Sequence, residues 1–141
     1  MRALVQRVSR ASVRVRGETV ASVGPGLLVF LGVKHDDGPE DADRLAAKVA
    51  GLRIFPGAHG GPEEALGNRE VLCVSQFTLY ADTSRGRRPS YSPAAPGGHA
   101  EPLYERFRER LGAQGGVFGT QMEVELVNDG PLTLLLESPA R

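Results

Sequence analysis

Ser75, Gln76 and Thr78 stand at the end of an apolar run, Val71-Leu72-Cys73-Val74, and just before a polar, basic, turn-rich segment, 81–89. A strand end that opens into a loop is where a rigid element aims side chains and a loop admits a ligand. The chemistry these groups offer is narrow. A hydroxyl attacks as a nucleophile only when a neighbouring base takes its proton; otherwise it positions a substrate. No base is evident beside Thr78: His35, His59 and His99 all fall in segments that read as loop or helix start. Both roles for Thr78 therefore stay open, next to the plainer reading that Ser75, Gln76 and Thr78 are satisfied polar residues at a strand end. Cys73, inside the apolar run, reads as a buried, inert thiol. There is no Cys-His zinc spacing and no glycine-rich phosphate loop, so neither a metal nor another cofactor is expected.

A second unusual stretch is Asn128-Asp129-Gly130-Pro131-Leu132-Thr133. Asn, Asp and Gly suit a tight hairpin. Proline directly after the glycine removes a donor where the returning strand would begin to pair. A cis Gly-Pro bond is one solution; a trans-proline ending a hairpin is the other, and residue types alone favour the trans form. Arg85, Arg87 and Arg88 form a basic patch close to Thr78, and arginine forks match phosphate.

These groups need elements to hold them. Arg2 to Val8 and Ser12 to Val15 alternate as strand, Thr19 to Val23 is a short strand, and Leu27 to Val33 has the unbroken apolar character of a strand buried on both faces. Gly17-Glu18 and Gly24-Pro25-Gly26 read as turns. Asp36-Asp37-Gly38-Pro39 is a helix start with Asp available as the cap, and Glu40 to Gly51 carries Ala42, Leu45, Ala46, Val49 and Leu52 at helical spacing. Arg53-Ile54-Phe55 is a short strand, 56–69 a loop, Glu70 to Leu79 the central strand, and 81–98 a long loop. Ala100 to Leu111 is a second helix, with Glu101 and Glu105 set against Arg108 and Arg110 on its solvated face. Met122 to Val127 and Leu132 to Leu136 close the chain as strands. The order predicts one α+β domain, mostly antiparallel, with two main helices.

Composition bounds the classes. The 141 residues suffice for a single core without staples, and 40% hydrophobic with 24% charged residues is ordinary for a globular chain. No apolar run reaches membrane-spanning length. The start lacks a signal-peptide pattern, and one cysteine admits no internal disulfide, so a cytoplasmic location is expected. Seventeen acidic and 17 basic residues sum to zero, which argues against a general nucleic-acid coat protein. The alternative of a non-catalytic nucleic-acid-binding module rests on Arg14, Arg16 and the Arg85–Arg88 patch. A generic Thr or Ser esterase is a third option.

Taken together the chain resembles the D-aminoacyl-tRNA deacylase family. The likeness is carried by Met1 to Val8, Leu52-Arg53-Ile54-Phe55, Val74 to Leu79, Arg88-Pro89-Ser90-Tyr91, Phe118-Gly119 with Met122, and Asn128 to Thr133. It departs from the family pattern in 56–69, in Arg85-Gly86-Arg87-Arg88, and at Thr120-Gln121 and Leu132. The resemblance implies a small domain with barrel-like sheet packing, working as a homodimer. It implies hydrolysis of the ester between a D-amino acid and the 3′-terminal adenosine of tRNA, with glycyl-tRNA, including glycine mischarged on tRNA-Ala, as a side substrate. Ser75, Gln76, Phe77 and Thr78 would form the catalytic segment, chiefly through main-chain N–H groups. Gly130-Pro131, in the cis form and steadied by Arg7, would reach into the partner subunit's site and sterically reject L-amino acids. Phe118 and Met122 would line the adenine pocket, and Arg85, Arg87 and Arg88 would meet tRNA phosphates.

Overall fold

The computed structural model describes residues 1–138. Its spine is β1 (Arg2–Val15), which carries a partner on each edge. Along one edge it pairs antiparallel with β3 (Gly26–Gly32) through residues 2–8, then with β2 (Glu18–Val23) through residues 11–15. Along the other edge it pairs antiparallel with β6 (Glu123–Glu137) over nearly its whole length. β4 (Glu70–Ser75) joins β3 in parallel, and the two-residue β5 (Gln114–Gly115) joins β4 in parallel. Each parallel step is spanned by a helix, as parallel pairing requires: α1 (Pro39–Gly51) lies between β3 and β4, and α2 (Gly97–Leu111) between β4 and β5. β2 curls back toward the far end, where Ser22 N–H donates to Gln114 Oε1 at 3.2 Å and Gly24 N–H to Glu70 Oε1 at 2.9 Å. The result is a nearly closed, barrel-like mixed sheet with two helices on its outer face.

The apolar run of β3 explains this layering. Leu27, Val29 and Leu31 pack toward α1 and α2, against Leu45, Val49, Leu103 and Phe107. Leu28 and Phe30 point the other way, into the barrel, with Val8, Val13, Leu72, Val74 and Met122. A strand with core on both sides cannot alternate. Each fully buried Leu or Val here contributes about 1.5–3 kcal/mol of burial free energy.

The structure corrects several expectations. The end of the proposed central strand, 76–79, is not strand: β4 stops at Ser75 and a 3-10 turn, Phe77–Tyr80, follows. Asn128 to Pro131 is no hairpin. It is an outward loop within β6, because Gln6 pairs with Thr133 and Val8 with Asn128, so five steps on β6 face two on β1. The Gly130-Pro131 bond is cis. Arg53-Ile54-Phe55 forms no strand; only Phe55 bridges, to Glu64. The 56–69 loop contains a 3-10 turn at Ala58–Gly60. The β1–β2 turn is Arg16-Gly17, and β2 already begins at Glu18.

Helix α1 is not capped by an Asp ahead of it. Gly38 is the cap position, and Asp41 accepts its N–H at 2.8 Å. Asp37 is instead buried, accepting from the Met1 amine at 2.9 Å, from Lys34 N–H at 2.8 Å and from Lys34 Nζ at 2.7 Å. Burial works to raise its pKa, and hydrogen bonds from Lys34 and the Met1 amine more than offset that, holding it below the usual carboxylate range. Helix α2 starts at Gly97 rather than Ala100. Glu105 meets Arg108 as expected, whereas Arg110 reaches Asp43 on α1 at 3.2 Å, beside a two-pronged Arg106–Asp43 pair at 2.8 Å.

Candidate active site

At the open end of the barrel, three elements converge: the C-terminal end of β4, the N-terminal turn of α2, and the segment between β5 and β6. They enclose a cavity of about 530 Å³. Ser75, Gln76 and Phe77 form one wall; Phe118 and Met122 form another; Val33, Ala95, Gly97 and Ala100 make the floor beside α2. Sequence reasoning missed that floor. The small residues at 95–100 were its signal, obscured by starting the helix at Ala100.

The 3-10 turn is fixed from below. Gln76 N–H continues the sheet pairing to Leu31 O at 2.7 Å, and Ala81 N–H donates to Thr78 O at 3.0 Å. The end of β3 passes directly beneath: a Cβ at Gly32 would sit 3.0 Å from Leu79 Cβ and 3.2 Å from Gln76 O, so any larger residue there would push the turn outward by a few tenths of an ångström. From the side, Arg2 Nη1 donates to Leu79 O at 2.7 Å, and its guanidinium lies 4.5 Å from the centre of the Tyr80 ring. Burial pushes the Tyr80 hydroxyl up to about 12.

A turn that begins this way leaves its first N–H groups without partners. Leu79 N–H returns to Gln76 O at 3.2 Å, but the N–H groups of Phe77 and Thr78 meet no acceptor among the described residues. Two adjacent, rigidly held main-chain donors at a cavity mouth are suited to an oxygen that gains negative charge. The Gln76 side-chain amide donates to Thr78 Oγ1. That bond occupies a lone pair of the hydroxyl and leaves its proton to be donated outward. Thr78 itself is exposed beside the cavity and not on its lining. Phe77 is 54% exposed and meets Tyr91 edge-on at 5.2 Å. No side chain that titrates near neutrality lines the cavity among the described residues.

Phe118 lies 5.9 Å from Tyr104, whose hydroxyl donates to Cys73 O at 2.7 Å and is pushed upward by burial. Cys73 is fully buried, and burial raises its thiol well above the ordinary value.

Arg7, Gly130 and Pro131 do not line this cavity. Arg7 donates through Nη1 to Ile54 O at 2.5 Å and through Nε to Asp129 O at 3.2 Å, with the Asp129 carboxylate 3.4 Å away. Asn128 Nδ2 bridges Arg7 O at 2.9 Å and Leu132 O at 3.0 Å. The projecting Gly130-Pro131 segment is thus tied at its base to β1 and to Ile54, with its tip in solvent. Arg85, Arg87 and Arg88 are exposed and make no hydrogen bond or ion pair with a described residue. Their loop is closed by the Asp82–Ser90 bridge, close to Tyr91 and Phe77.

Residues 4–137 match the profile of a family described as D-Tyr-tRNA(Tyr) deacylase. A protein named D-aminoacyl-tRNA deacylase from Symbiobacterium thermophilum is 54% identical over 145 residues, covering 98% of this chain and 96% of its own. One of the same name from Kineococcus radiotolerans is 54% identical over 144 residues, covering 98% and 100%. Among solved structures, a c-Myc DNA unwinding element binding protein superposes with a TM-score of 0.92 at 39% identity, covering 99% of this chain and 100% of that one. A probable eukaryotic D-amino acid tRNA deacylase superposes at 0.80 with 17% identity, covering 96% and 98%, a likeness of fold.

Proposed function

The chain belongs to the D-Tyr-tRNA(Tyr) deacylase family, and on that premise we propose that it hydrolyses the ester joining a D-amino acid to the 3′-terminal adenosine of tRNA. The observation that carries the reading is the cavity that joins Phe77, whose N–H is free, to Phe118 and Met122, with the free N–H of Thr78 beside its mouth. The terminal adenine lies against Phe118 and Met122, and the ester carbonyl points at the two N–H groups. Water adds to the carbonyl carbon, and the oxyanion is held by those donors. The C–O bond to the ribose then breaks, and the ribose oxygen leaves with a proton as a hydroxyl.

An aminoacyl ester is already activated, so positioning and oxyanion stabilisation can suffice without a metal or a histidine. Ser75 and Gln76 set the turn, and the Thr78 hydroxyl donates a hydrogen bond to the substrate. The Gln76 amide on Thr78 Oγ1 favours this role over nucleophilic attack, because no base is placed to receive the proton.

D and L substrates offer the same groups, so a rigid wall must separate them. Gly130-Pro131, held by Arg7, serves as that wall for the partner subunit of a homodimer. Two features support the second subunit: the segment stands away from the cavity of its own chain, and Val127, Leu134 and Leu135 are exposed on β6. A wall of this kind admits glycine, and glycyl-tRNA, including tRNA-Ala mischarged with glycine, is a further substrate. Arg85, Arg87 and Arg88 contact tRNA phosphates. Charged tRNA places this work in the cytoplasm; among the described residues no helix is long and apolar enough to cross a membrane.

The likeness to a DNA unwinding element binding protein favours one second reading, a non-catalytic nucleic-acid-binding module. The test is incubation of the purified protein with D-Tyr-tRNA and with labelled duplex and single-stranded DNA. Release of D-tyrosine is expected. Salt-sensitive DNA binding without ester cleavage would overturn the deacylase reading.

A further inference from the structure

The cavity does not end at Met122. Gly119, Thr120 and Met122 also wall a second cleft of about 550 Å³, whose far side is the β1–β2 turn with Arg14, Arg16 and Gly17. The cleft continues past Arg16 into a third, of about 510 Å³, between Val20 and Val117, two of the exposed apolar side chains.

Arg16 is unusual in two independent ways. Its φ is +52° and that of Gly17 is +80°, the pattern of a two-residue type I′ hairpin turn. The first position of that turn favours Asn, Asp or Gly, and a long side chain rarely enters the left-handed region. Arg16 also makes no hydrogen bond or ion pair with a described residue. Arg14, by contrast, leans on Glu123 at 4.0 Å and Glu125 at 3.7 Å. Neither the turn nor a salt bridge accounts for arginine at position 16. Its guanidinium stands free at the rim of a groove that opens from the cavity. Glu123 and Glu18 also border the groove; Glu123 is answered by Arg14, and Glu18 lines only the third cleft, beyond Arg16.

We infer that this groove takes the nucleotide preceding the terminal adenosine, with the Arg16 guanidinium on the connecting phosphodiester. The inference rests on the cavity being the adenosine site. A terminal adenosine against Phe118 and Met122 must continue through its 5′ phosphate into an opening of the cavity, and the opening shared along Thr120 and Met122 carries an unpaired arginine. Thr120, Gln121 and the apolar pair Val20 and Val117 offer the polar and stacking surface that a single-stranded end uses. The Arg85–Arg88 loop, past Phe77, is left for phosphates farther along the tRNA.

Arg16→Asn tests this, because it removes the guanidinium while giving the turn a residue it favours. The readout is kcat/KM on D-Tyr-tRNA divided by kcat/KM on 3′-O-D-tyrosyl-adenosine, which lacks the preceding nucleotide. The ratio is expected to fall roughly five-fold or more, carried in KM, as loss of one charge-assisted phosphate contact implies. The log–log salt dependence with tRNA should become shallower by about 0.7, and Arg16→Lys should restore most of that slope. An unchanged ratio and slope would overturn the inference, as would a ratio that falls with Arg85→Ala and not with Arg16→Asn. If the wild-type protein cleaves neither ester, the deacylase reading itself fails, and the groove assignment fails with it.

Discussion

Gly130→Ala should damage both stability and stereochemical discrimination, and the size of each effect follows from geometry. The φ of Gly130 is +122°, which an alanine adopts only with strain of about 1–3 kcal/mol. A Cβ built there would stand 2.5 Å from Arg7 Nη2 and 3.4 Å from Arg7 Cζ. Arg7 cannot simply swing aside: its side chain is 16% exposed and is tied to Ile54 O, Asp129 O and the Asp129 carboxylate. Losing one such charged hydrogen bond costs about 1.5–3 kcal/mol more. Together these lower stability by about 2.5–6 kcal/mol, which for a domain of this size lowers Tm by roughly 10–20 °C. With the segment in the proposed role of stereochemical wall, its displacement should also lower the preference for D- over L-Tyr-tRNA about tenfold or more. Thermal unfolding followed by circular dichroism, with deacylation of both charged tRNAs, reads the two effects. In the double variant with Arg7→Ala the clash is gone and only the φ strain remains, so the two changes should couple by about 1–3 kcal/mol. A Gly130→Ala protein with wild-type Tm and intact discrimination would refute the reasoning.

Three further outcomes are expected. Thr78→Ala should slow D-Tyr-tRNA hydrolysis by about 100–1,000-fold, the scale of one lost donor at the reacting oxygen; a trapped acyl-enzyme in the wild type with no measurable turnover in the variant would instead assign Thr78 a covalent role. Phe118→Ala should weaken binding by about 1–3 kcal/mol per stacked base, seen mainly as a raised KM for 3′-O-D-tyrosyl-adenosine in steady-state assays. Asp37→Asn should cost about 3 kcal/mol or more at neutral pH, because it leaves the buried Met1 amine without its carboxylate partner, whereas Lys34 keeps Asp36 at 3.0 Å. The folded-state pKa of Asp37 lies below 3.8, so its stabilisation is present above that value and is lost as pH falls through the folded pKa. The Tm gap between wild type and Asp37→Asn should therefore close in strong acid.

How much of this was legible in the sequence depended on whether a signal was local. The unbroken apolar run of β3 and the helical spacing in α1 reflect burial on two faces and on one, and both elements formed where expected. The strand read as running to Leu79 stopped at Ser75: Phe77, Leu79 and Tyr80 extend the apolar run past the strand end, but they belong to a 3-10 turn that buries only Tyr80. Nothing short-range marks that change; it is set by Gly32 beneath the turn and Arg2 beside it, both distant in sequence. Asn128 to Pro131 has hairpin chemistry, yet the partner of both flanking halves is β1, more than a hundred residues upstream. Turn propensity carries no information about such a partner. β5 has only two residues and no periodicity to detect. Within the site, Ser75, Gln76, Phe77, Phe118 and Met122 came together in one cavity, whereas Arg7, Gly130 and Pro131 stood outside it.

The most direct test of the account compares the first-order release of tyrosine from D-Tyr-tRNA and from L-Tyr-tRNA by the purified protein, with the same tRNA, enzyme concentration and salt. Rapid loss of the D-ester and persistence of the L-ester at its uncatalysed rate are expected. Equal release of both, or release of neither, would contradict the account.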